Sequence, residues 1–139
     1  DLTGNLFADA APPPEGERFE TLLAHRNLVV ERIVSSAAVV EGEHVQPQDE
    51  WVMLVQGEAV LNVAGAMLTL SSGDYLFLPA GLPHSVQRVS EGALWLAVHL
   101  YGAEGMQHPP GTAIDRDPRG STNRTESTGA PEDCGPRSA

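Results

Sequence analysis

An all-β fold, a double-stranded β-helix of the jelly-roll type, is predicted by three features of the sequence. Apolar residues concentrate between residues 19 and 101. They fall in short runs rich in β-branched side chains, too short for typical helices. Those runs are punctuated at regular intervals by Gly and Pro, as in sandwiches and barrels. The domain is placed at residues 17–101, between an N-terminal arm (1–16) and a tail (102–139).

In the arm, Ala10-Ala11-Pro12-Pro13-Pro14 favours extended backbone, and Asn5-Leu6-Phe7 offers apolar side chains that can dock on the domain. From Glu17 to His25, the spacing of Phe19, Leu22 and Leu23 fits either one short helical turn or an edge strand. Leu28–Val34 is a strand, and Val39-Val40 starts another after Ser35-Ser36. Trp51–Val55 is stopped by Gln56-Gly57. Ala59–Val63 and Ala66–Leu70 flank Ala64-Gly65, which predicts a hairpin. Tyr75–Leu78, Ser85–Val89 and Leu94–Leu100 complete the strands. No repeat is present, so a single barrel is expected. Beyond Tyr101 the chain is dominated by polar residues, Gly and Pro, with Ile114 its only branched aliphatic. Such a segment buries too little to offset its ordering entropy, so a disordered tail is expected. Asn123-Arg124-Thr125, in that tail, is read as a chance match to a glycosylation acceptor.

Bulk properties narrow the function. The chain of 139 residues has a formal net charge of −11, and its basic residues are all arginine. This balance argues against nucleic acid, whose binding rests on basic side chains against phosphates, and against an anionic membrane surface. No apolar run approaches the length of a membrane span, and no signal peptide is recognised, so a cytoplasmic location is expected. The one cysteine, Cys134, excludes an intrachain disulfide or a Cys-based zinc site and reads as a surface thiol.

Two segments carry the chemistry. His44-Val45-Gln46 is followed by Glu50 and Gly57; Gly73, Pro79, Gly81 and His84 follow. Alternate residues of a strand share a face, so Glu50, Val52 and Leu54 point one way, and His44 and Gln46 point together. The Pro79-Ala80-Gly81 turn redirects the chain before His84, which can bring His84 against Glu50. Two imidazoles and a carboxylate suit a divalent ion, iron above all, with manganese, nickel or zinc as alternatives. Gln46 could add an oxygen ligand or hydrogen-bond a bound molecule.

These segments resemble the two motifs of the cupin superfamily. Gln46 stands where the first motif has its second histidine, and Arg88 where the second ends in asparagine. The chain also resembles a group of small bacterial cupins of the RmlC-like type. The marks are Asn5-Leu6-Phe7, Phe19-Glu20-Thr21-Leu22-Leu23, Glu31-Arg32-Ile33-Val34, Asp49-Glu50-Trp51-Val52, Gln56-Gly57-Glu58-Ala59, Gly73-Asp74-Tyr75-Leu76 and Trp95-Leu96-Ala97-Val98. The resemblance implies site roles at Gln46, Glu50 and His84; His44 belongs to the general cupin pattern alone.

The expectation is thus a cupin binding metal through His44, Gln46, Glu50 and His84 and acting on a sugar derivative or carboxylic acid as an oxygenase, isomerase or lyase. Glu50 and His99 are the candidate acid–base residues; Arg32, Tyr75 and Gln46 are the candidate substrate contacts. His25 and His108 are read as bystanders. Trp51, Met53 and Val55 form the alternate face, read as packing or a homodimer interface, and a homodimer is the expected assembly. The alternative is a module that binds a small ligand without turnover.

Overall fold

The computed structural model describes residues 2–102. The expected disordered tail, with Cys134, His108 and the Asn123 motif, lies outside the described residues apart from Gly102. Eight strands run in order: β1 (Glu17–His25), β2 (Leu28–Ser35), β3 (Asp49–Gln56), β4 (Glu58–Val63), β5 (Ala66–Ser71), β6 (Tyr75–Leu78), β7 (His84–Val89) and β8 (Ala93–Leu100). They form two antiparallel sheets, β1-β2-β8-β3-β6 and β5-β4-β7. The sheets face each other as a jelly roll, as the sequence predicts. No helix among the described residues is long and apolar enough to cross a membrane.

Strand alternation decides what lies between the sheets. Ile33, Val52, Leu54, Leu78, Trp95 and Ala97 of the larger sheet meet Ala59, Leu61, Leu70 and Val89 of the smaller one. Trp95 is tied down by its indole N–H, which donates to Ser35 Oγ at 2.9 Å, while the Ser35 hydroxyl donates to Glu17 at 2.9 Å. Glu17–His25 resolves as the edge strand of the larger sheet, paired along its length with β2.

Two expectations change. Val39-Val40 forms no strand; both residues lie in the connection between β2 and β3. Ala38 gives its carbonyl to the N–H of Gly16, Val39 packs on the core, and Val40 stays exposed. A β-branched pair lacks a strand's length, and this one has no ladder to join. The other change is the arm, expected to be loosely structured, whose residues 6–11 are tied to the domain. The buried Arg32 guanidinium donates to the carbonyls of Leu6, Ala8 and Asp9 and pairs with Glu20. Arg18 donates to the carbonyls of Asp9 and Ala11. Backbone carbonyls hold the arm, while Phe7 stays exposed.

The β4–β5 hairpin turns on Ala64 and Gly65, both with positive φ (50° and 92°). A two-residue type I′ turn needs that pair of angles, and it suits Asn far better than Ala at the first position. Ala64→Asn is expected to stabilise the protein by about 1 kcal/mol, read as a higher urea midpoint at unchanged m-value. A lower midpoint would contradict the turn assignment.

Candidate functional site at the polar end of the barrel

One end of the interior is polar. The chain enters it at His44, which extends the smaller sheet by a single bridge to His84. The two residues exchange backbone bonds of 2.7 and 3.0 Å, and their rings stand 5.7 Å apart, centroid to centroid. The Gln46 carbonyl accepts from the N–H of Gly81 at 2.8 Å, after which the chain crosses at Pro47 to begin β3. Asp49 Oδ1 accepts from the N–H of Ala80 at 2.8 Å, clamping the Pro79–Gly81 turn to the start of β3. Segment 44–50 therefore links the two sheets, with the histidine pair at the smaller and Glu50 on the larger.

Glu50 is the central acid. Its relative exposure is 0%, and it shares a face with Val52 and Leu54. Gln46 Nε2 donates to its Oε1 at 2.8 Å. Its Oε2 is buried and has no hydrogen-bond partner among the described residues. An unsatisfied buried carboxylate oxygen is costly, so it calls for a proton, a cation or a ligand donor.

His84 Nδ1 lies 3.1 Å from the Leu82 carbonyl. A carbonyl only accepts, so the proton sits on Nδ1, and in the neutral ring Nε2 carries the lone pair. Metal-bound histidines commonly have this outer hydrogen bond.

His99 pairs with Glu50 across the β3–β8 ladder and shares its inward face. Its Nε2 lies 3.1 Å from Glu31 Oε1 and its Nδ1 lies 3.1 Å from Gln48 Nε2. Glu31, Gln48 and His99 are all buried. With the Gln48 amide donating to Nδ1, the His99 proton resides on Nε2 and is donated to Glu31. Sequence reasoning missed Glu31 and Gln48. The available signal was parity: Glu31 alternates with Val29 and Ile33 in an apolar strand, and Gln48 with Gln46 and Glu50.

Two expected substrate contacts lie elsewhere. Arg32 pairs with Leu96, and Tyr75 with Met53, on the sheet face opposite Glu50. Arg32 is occupied by the arm, and Tyr75 is exposed and stacks near Trp51 with ring centroids 5.5 Å apart. Neither faces the Glu50 carboxylate, because one step along a strand reverses the side chain.

By chemistry the donors fit a divalent cation: two imidazoles, a carboxylate with a bare oxygen, and a carboxamide oxygen. By geometry they stand as two contacts, His44 with His84 and Gln46 with Glu50. Among the described residues, no group of three or more His, Cys, Asp or Glu is arranged to hold an ion.

Comparison with known proteins agrees with this architecture. Residues 32–99 match the family model described as a cupin domain. A solved structure from Ralstonia eutropha JMP134, described as a candidate mannose-6-phosphate isomerase, is 38% identical with a TM-score of 0.66. The match covers 73% of this chain and 100% of that one. An RmlC-like cupin from Shewanella frigidimarina NCIMB 400 is 21% identical, with a TM-score of 0.52 over 64% of this chain and 79% of that one. A protein from Thermotoga maritima described as a predicted oxalate decarboxylase is 22% identical, with a TM-score of 0.55 over 62% and 81%. The last two likenesses bear on fold alone. No functionally curated protein matches the chain.

Proposed function

The chain belongs to the cupin family, and from that premise we propose that it binds a divalent metal at the polar end of its barrel and acts on a small organic molecule there. The observation that carries this reading is Glu50, a fully buried carboxylate with a bare Oε2. His84, His44 and Gln46 would complete the holding set around iron, manganese, nickel or zinc. When bound, such an ion supplies Lewis-acid polarisation of a ligand oxygen or activates water or oxygen.

The protein's own residues supply the rest. A Glu50 carboxylate swung away from the ion can accept a proton from a ligand's O–H or C–H, and its burial keeps bulk water from competing for it. His99, opposite Glu50, lines the same interior as a second acid–base group whose ring is fixed by Glu31 and Gln48. Isomerase, lyase and oxygenase chemistry on a sugar derivative or carboxylic acid all fit such a set.

The test is elemental analysis by mass spectrometry of untagged protein, with Glu50→Ala and His84→Ala alongside. About one equivalent of a transition metal is expected in the wild type, with loss in both variants. A wild type that stays metal-free after reconstitution would overturn the metal reading. Metal retained by both variants would overturn the site.

A second reading, a binding module without turnover, is favoured by Gln46 and by the absence of a closed three-ligand group among the described residues. It predicts ligand-induced thermal shifts that persist in chelator.

The expected homodimer is proposed to form through the outer face of the larger sheet. There Tyr75, Phe77 and Leu100 are exposed beside Trp51, forming an apolar surface that two copies can share about a twofold axis. Sedimentation should show a dimer for the wild type and a monomer for Phe77→Glu; a monomeric wild type would contradict this.

A further inference from the structure

Among the described residues, the polar end of the barrel carries the carboxylates of Glu31 and Glu50, the imidazoles of His44, His84 and His99, and the amides of Gln46 and Gln48. Glu31 and Glu50 lie on β2 and β3, on either side of β8, and both turn toward the interior. The ring of His99 sits between those two strands and ties itself to Glu31.

Among the described residues, the arginines are held or exposed away from this end. The chain contains no lysine. Arg32 faces the outer side of β2 and is taken by the arm and Glu20. Arg18 is taken by the carbonyls of Asp9 and Ala11. Arg26 lies exposed in the β1–β2 turn, and Arg88 is exposed on β7. A phosphate ester in the interior would meet buried carboxylates with no described guanidinium to receive it, and both desolvation and like-charge repulsion would oppose it. A divalent ion at Glu50 would not reverse this, because Glu31 and Glu50 together balance its charge.

We propose that this interior selects a small, unphosphorylated ligand that presents hydrogen-bond donors or a positive charge, and that Glu31 enforces the selection together with Glu50. The proposal deepens the Glu50-centred reading and rests on it. Polyols, unmodified sugars and small amines fit the acceptor-lined surface; their phosphate esters do not, and of the two substrate classes proposed above the same repulsion favours the sugar derivative over the carboxylic acid. Specificity here comes as much from rejection by the second carboxylate as from attraction.

The experiment is a thermal-shift screen of the full chain followed by calorimetry on every hit. Pentoses, hexoses and alditols are each paired with their monophosphates, mannose and mannose 6-phosphate among them, and small diamines are added. Each is run on chelator-treated and on manganese-loaded protein. Binding is expected for unphosphorylated members only, at least about tenfold tighter than for their esters. In Glu31→Gln, which keeps an acceptor for His99 and removes the charge, that preference should shrink by about tenfold, with the circular dichroism spectrum unchanged. A phosphate ester that binds as tightly as its parent overturns the proposal. So does the absence of any hit, or an undiminished preference in Glu31→Gln. Unphosphorylated ligands that bind equally well in chelator, to a protein that never retains metal, would sink the metal reading and leave the ligand class standing.

Discussion

Gly57→Ala is expected to destabilise the protein by about 3–5 kcal/mol, from backbone strain added to overpacking. Gly57 is where the chain leaves β3 in one sheet for β4 in the other. It has φ of 115°, a conformation that side chains other than hydrogen rarely allow. A Cβ there would lie 2.7 Å from Ser90 Oγ and 2.9 Å from Ala93 Cβ. The serine can rotate, but Ala93 is buried at the start of β8 and cannot yield without moving the strand. Urea denaturation reads the loss. A double-mutant cycle with Ala93→Gly should return about 1 kcal/mol as coupling and leave the backbone strain in place. A Gly57→Ala protein within 1 kcal/mol of wild type, roughly the size of an ordinary substitution, would refute the close crossing.

Glu50→Gln should have opposite effects on stability and on binding. The substitution is nearly isosteric, and Gln46 can still donate to the remaining oxygen. What disappears is a buried negative charge whose second oxygen has no partner among the described residues. Metal-free Glu50→Gln exchanges an unpartnered buried charge for an unpartnered neutral amide, which costs less to desolvate, and is therefore expected to be more stable than metal-free wild type by about 1–3 kcal/mol. For a domain of this size that is a rise in Tm on the order of 5–15 °C. Metal binding should be abolished in the same protein. Stability given up at a site and recovered on its removal marks a residue kept for function. If Glu50→Gln is less stable than wild type in chelator, the carboxylate is a structural element and the functional assignment fails.

Much of this fold is legible in the sequence because its strands are short, β-branched and bounded by turn residues. Tyr75–Leu78 is recovered to the residue, and Ala64-Gly65 is recovered as a hairpin. Glu50 is legible too, since a carboxylate that alternates with Val52 and Leu54 must face inward. The misreadings share one cause: partners distant in sequence decide them. The face that Arg32 presents follows from its pairing with Leu96, and the arm is held through carbonyls that every residue carries. Glu31 escaped notice because its burial is made tolerable by His99, sixty-eight positions along the chain. Val39-Val40 had the propensity of a strand and no neighbour to pair with.

The most direct test of the metal centre is a crystal structure of the wild-type protein reconstituted with manganese, with anomalous difference maps recorded at the metal edge. A single strong peak within bonding distance of Glu50 Oε2 and His84 Nε2 is the predicted result. A map with no peak at this end of the barrel, and with Gln46 still donating to Glu50, would contradict it.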